Sequence, residues 1–85
     1  MSASYRPGTG QSIEAIYAWV ATEPDGGEGI CSAQQLGSNL VMPLVGADID
    51  RIKSLRPHAE AVRRITGYPV RLVRFGSRDD LEVLP

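Results

Sequence analysis

The first patterned segment of the chain is apolar on both sides of an extended backbone. Ile13, Ala15, Tyr17, Trp19 and Ala21 fall on one side; Glu14, Ile16, Ala18, Val20 and Thr22 fall on the other. This predicts a central strand over residues 13–22, covered at least partly on both faces. A helix competes because alanine is frequent, but Pro24-Asp25-Gly26-Gly27 follows at once and favours a hairpin. The returning strand runs over 28–36. It puts Ile30, Ser32 and Gln34 on one face and Gly29, Cys31 and Ala33 on the other. It is more polar than the first, which places it nearer the sheet edge. Gly37, Ser38 and Asn39 read as a turn. Residues 40–45 are a short apolar run, in which Pro43 cannot donate to a ladder, so this is an edge strand or an extended packing segment.

The periodicity then changes. Ile49, Ile52, Leu55, Ala59, Val62 and Ile65 recur every three or four residues, one apolar stripe on a helix over 48–66. Asp48 is placed to cap it, Asp50 suits the positive end of its dipole, and Gly67 followed by Pro69 ends it. Pro57 interrupts the pattern, because a proline inside a helix removes a hydrogen bond and clashes with the preceding turn. Either the helix kinks there, or a short turn precedes a second helix that has Pro57 near its start.

Alternation returns over 68–75, with Val70, Leu72 and Arg74 on one face and Arg71, Val73 and Phe75 on the other. Neither face is wholly apolar, which predicts a bulge or an exposed far end. A turn over 76–80 and a last strand over 81–84 would make a second hairpin. The predicted order is therefore β-β-(β)-α-β-β. The fold class is α+β with two layers: a mainly antiparallel sheet of four to five strands carrying one helical segment on one face. Residues 1–12 read as a flexible tail and 13–85 as one small domain.

One helical layer on about three strands leaves apolar side chains over. Two sets compete for the uncovered face: Tyr17, Trp19, Val73 and Phe75, or Ile16 and Val20. Pattern alone does not decide which lies beneath the helix. A surplus apolar face on a chain of 85 residues is most simply completed by a second copy.

Composition narrows the class further. Apolar residues make up 42% and the net charge is −1, which argues against disorder. No apolar run is long enough to span a bilayer and the first ten residues lack the apolar stretch of a secretory signal, so a cytoplasmic location is expected. The single cysteine, Cys31, cannot form an internal disulfide, and with one histidine, His58, the chain lacks the usual ligands of a structural zinc site.

Charge is unevenly divided. Residues 1–50 set Arg6 against Glu14, Glu23, Asp25, Glu28, Asp48 and Asp50, a net −5; residues 51–85 set eight cations against four anions, a net +4. Eight of the nine cations are arginine, as codon bias in a GC-rich, bacterial-type genome would give. Arginine is also the better residue for bidentate contacts with phosphate or carboxylate. Arg63, Arg64, Arg71, Arg74 and Arg78 follow one another along the helix end and the next strand, making them the candidate anion-, partner- or nucleic-acid-binding set. Two nearby aromatics, Tyr68 and Phe75, are too few for a base-stacking platform, and a pI near 5.7 weighs against a dedicated nucleic-acid binder.

Catalytic and cofactor signals are weak. Gly-Ile-Cys-Ser-Ala around Cys31 matches no nucleophile pattern, and a free cysteine usually serves as a small buried hydrophobe. Gly26, Gly27 and Gly29 precede no helix and no Lys-Ser/Thr, so they make no phosphate loop. Asp25 with Glu28, and Asp79 with Asp80, lack calcium-loop spacing. No cofactor, metal or catalytic residue is expected. The strand–Asp-Gly-Gly–strand opening and the following amphipathic helix resemble small antitoxin domains with a partial RNase-H-like fold. That resemblance covers 13–35 and the character of the helix. The chain departs from it at Val70–Phe75, where a strand stands in place of a separate DNA-binding element, so no residue role is carried over. The expectation is a small interaction module that forms a homodimer and has no catalysis of its own. The alternative is an antitoxin-like regulator that binds anions or nucleic acid through the arginines.

Overall fold

The computed structural model describes residues 10, 12–34, 37 and 40–85. The elements in chain order are β1 (Ile16–Thr22), β2 (Glu28–Ile30), β3 (Ser32–Gln34), β4 (Val41–Pro43), β5 (Val45–Gly46), α1 (Ile49–Ser54), α2 (Arg56–Thr66) and β6 (Val70–Phe75). The architecture is α+β, with an antiparallel four-stranded sheet, a small two-stranded sheet and two helices. The tail expected over 1–12 lies largely outside the described residues, and positions 35, 36, 38 and 39 around the turn expected at 37–39 lie outside them too.

β1 is the hub, as its two apolar faces require. One edge carries β6 along its whole length, from Ile16 opposite Phe75 to Ala21 opposite Val70. The other edge is shared: β2 pairs with Val20–Thr22 and β5 with Tyr17 and Ala18. Between them the chain leaves the sheet as the β3–β4 hairpin. Three backbone hydrogen bonds close a ring where the strands part. Trp19 N–H donates to Leu44 C=O (3.1 Å), Cys31 N–H to Trp19 C=O (2.8 Å), and Leu44 N–H to Cys31 C=O (2.8 Å). Strands that diverge inside a core would otherwise strand polar groups away from water. The ring satisfies them, and Trp19, Cys31 and Leu44 all belong to the buried cluster. The expected strands over 28–36 and 40–45 are thus each divided in two at this junction.

The β1–β2 turn follows from its residues. Asp25 Oδ1 accepts from Gly27 N–H (2.8 Å), and Gly26 takes φ +90°, which only glycine adopts cheaply.

The helical segment is broken, not kinked. Asp48 caps α1, its Oδ1 accepting from Asp50 N–H (3.0 Å) and Arg51 N–H (3.4 Å). α1 stops at Leu55, and α2 restarts with Pro57 in its first turn, where a missing N–H leaves no intrahelical bond unmade. Gly67, at φ +73°, ends α2 and donates its N–H to Arg63 C=O (2.9 Å). The apolar stripe holds at Ile52, Leu55, Ala59 and Val62, but Ile65 is exposed. Two successive three-residue steps from Ala59 turn Ile65 about 120° away from the core.

β6 is regular, without the bulge expected in it, and its Phe75 end is exposed, as its mixed faces suggested. The last expected strand is not formed. Residues 76–85 have no strand or helix, and Arg78 Nη1 donates to the Ile13 carbonyl, which lies opposite it when the β1–β6 register is continued.

Candidate functional site

Register decides which apolar side chains lie under the helices. Directly opposed residues share a face. Tyr17, Trp19 and Ala21 therefore lie on the same side as Arg74, Leu72 and Val70. That is the helix side: Trp19 and Leu72 belong with Ile52, Leu55, Ala59 and Val62 to one core, and Trp19 Nε1–H donates to the Ile52 carbonyl at 2.7 Å. The opposite face carries Ile16 beside Phe75, Ala18 between Val45 and Val73, and Val20 between Ile30 and Arg71. None of these belongs to the core cluster beneath the helices.

The four candidate interface residues are thus divided. Tyr17 and Trp19 lie beneath the helices; Val73 and Phe75 lie on the other face. Of the two sets weighed from sequence, Ile16 and Val20 do share the helix-free face, whereas the set of Tyr17, Trp19, Val73 and Phe75 is a mixture, because β1–β6 register pairs Phe75 with Ile16 and not with Tyr17. The helix-free face is uneven. Its centre, Ala18 and Val20, is buried, whereas its ends are open: Ile16 is 37% exposed, Phe75 50% and Ile30 51%. Ile13, just before β1, is exposed as well. At the Ile16–Phe75 end lies an open groove of about 590 Å³, bordered by Ile13, Glu14, Ile16, Phe75, Arg78 and Asp79. Sequence reading missed Ile13 and Ile30 as surface features, since only the pairing shows that nothing described packs over them.

The five candidate arginines are carried by the last turn of α2, by β6 and by the residues after it. Arg63 and Arg64 are exposed in the last turn of α2, where they suit the negative end of its dipole. Arg71 and Arg74 are exposed on opposite faces of β6, since three steps along a strand reverse the side. Arg78 lies beyond β6, its Nε 3.3 Å from Asp80 Oδ1 and its Nη1 3.4 Å from the Ile13 carbonyl.

Cys31 sits at the three-strand junction, buried among Trp19, Leu44, Ile52 and Ala59, and burial pushes its thiol above the ordinary value of 9.0. His58 is exposed in the first turn of α2, and no hydrogen bond joins it to Cys31 among the described residues. A buried thiol held in its protonated form, without a base beside it, is the reverse of an activated nucleophile. Among the described residues no group of three histidines, cysteines or carboxylates is placed to hold a metal ion, and no helix is long and apolar enough to cross a membrane.

Comparison with protein-family models, with curated proteins and with solved structures gave no match. The likeness to antitoxin domains is therefore carried no further, and the surface itself supplies the functional reading.

Proposed function

We propose that this chain is a small interaction module that self-associates through the helix-free side of its sheet. The observation behind this reading is the exposed Ile16–Phe75 pair, with Ile13 and Val73 around it, on the face that no described helix covers. Aromatic and branched apolar side chains beside one another on an open sheet face are what a second protein surface buries. The second copy is the simplest occupant, because a two-fold axis lets one apolar patch meet itself. The arginines support an anion-binding reading less well, because register sends Arg71 and Arg74 to opposite sides of β6.

Sedimentation of the full chain across the micromolar range tests the proposal. A monomer–dimer equilibrium is expected that changes little with salt, and Phe75→Asp should abolish it while leaving the far-ultraviolet circular dichroism unchanged. A monomer at every concentration would overturn the reading. So would a dimer that Phe75→Asp leaves intact.

A further inference from the structure

We infer that residues 81–84 of one copy add to the free edge of β6 in a second copy as an antiparallel strand, an inference that rests on the self-association reading above.

Both halves of this interface lie open in the structure. β6 pairs with β1 on one side, and among the described residues no strand pairs with its other side. It is six residues long, unbroken by proline or bulge, and presents a row of backbone donors and acceptors. The opposite edge of the sheet is a poorer template, being split between the three residues of β2 and the two of β5. Just beyond β6 stands Leu81-Glu82-Val83-Leu84, with Leu81 94%, Val83 77% and Leu84 84% exposed. Three large apolar side chains in nearly full contact with water form a surface in search of a partner.

The segment is not paired with the edge of its own β6, since residues 76–85 form no strand. Arg78 Nη1 donates to the Ile13 carbonyl, which stands opposite it when the β1–β6 register is carried past Phe75, so the chain has not yet turned back at that point.

Register supplies the complementarity. When Val83 is set opposite Val73, Leu81 meets Phe75, Glu82 meets Arg74 and Leu84 meets Leu72. Leu81 and Val83 then extend the apolar end formed by Ile16, Val73 and Phe75. Glu82 comes opposite an arginine that has no ion pair among the described residues. Exchange between two copies is reciprocal and closes, which gives a dimer and not a filament.

The test is a charge-reversal cycle on the full chain. Arg74→Glu and Glu82→Arg should each weaken the dimer roughly tenfold, because two cross-strand pairs per dimer become repulsive, and the double variant should regain the original affinity. Both positions are exposed, so folding is undisturbed. In parallel, Val73→Cys and Val83→Cys chains are mixed and oxidised, and a disulfide joining the two kinds of chain is expected only from the mixture. A dimer indifferent to both reversals, with no such cross-link, would overturn this inference and leave self-association standing. A monomer at all concentrations would overturn both. Concentration-independent protection of the 81–84 amides in a monomer would show an intramolecular hairpin and overturn the exchange.

Discussion

Trp19→Phe removes a side-chain hydrogen bond that ties the sheet to the first helix. Trp19 Nε1–H donates to the Ile52 carbonyl at 2.7 Å inside the core, and that carbonyl also accepts from Leu55 N–H at 3.2 Å. Losing the indole donor leaves the carbonyl half-satisfied, which costs about 1–2 kcal/mol. Phenylalanine also leaves a void of roughly 40 Å³ beside Leu44 and Ile52, and at about 24 cal/mol per Å³ this adds about 1 kcal/mol. The expected loss is therefore about 2–3 kcal/mol. That is large for a chain of this size, whose whole stability is on the order of 4–13 kcal/mol. Urea unfolding followed by far-ultraviolet circular dichroism should show the midpoint falling by about 2 M, given a slope near 1 kcal/mol per M. Amide exchange across Ile49–Ser54 should quicken with it, since Ile52 is the anchor of that helix. A midpoint lowered by less than about 0.5 M would refute the assignment of Trp19 as the bridge between the layers.

Three further outcomes are expected. Pro57→Ala should change stability by less than about 1 kcal/mol, because Pro57 sits in the first turn of α2; a gain near 3 kcal/mol on thermal unfolding would mean that one helix runs through that point. Gly67→Ala forces a side chain into the left-handed conformation at φ +73° and should cost about 1 kcal/mol, read as a drop of several degrees in Tm for a domain of this size. Burial raises the Cys31 thiol above 9.0, so the unfolded chain loses that proton first: the contribution to stability is complete below pH 9.0 and fades as pH rises through the folded value. Alkylation by iodoacetamide at neutral pH should accordingly be slow and track unfolding, and a fast reaction in the folded state would contradict the buried thiol.

Much of the architecture could be read without coordinates because its signals are local. Asp48 as a cap, Gly67 in the left-handed conformation, the Asp25–Gly27 turn and the stripe from Ile52 to Val62 each depend on residues a few positions apart. The break at Leu55 was one of two outcomes Pro57 allowed, and backbone geometry selected the one in which its missing N–H costs nothing. The strand over 81–84 is not formed, because alternation within four residues shows only that a segment could pair, not that an edge receives it.

The surface was less legible for the same reason. Two-fold alternation sorts the residues of each strand into two groups but does not say which group of one strand joins which group of the next, and a shift of one residue exchanges them all. Long-range pairing settles this point: Ile16 meets Phe75, so Tyr17 and Trp19 go beneath the helices while Val73 and Phe75 face outward. The same pairing scatters arginines that are neighbours along the chain. Short-range chemistry thus dictated turns, caps and helix ends, and the strand register dictated which apolar and charged groups meet, because hydrogen bonding between distant segments carries information that no single segment holds.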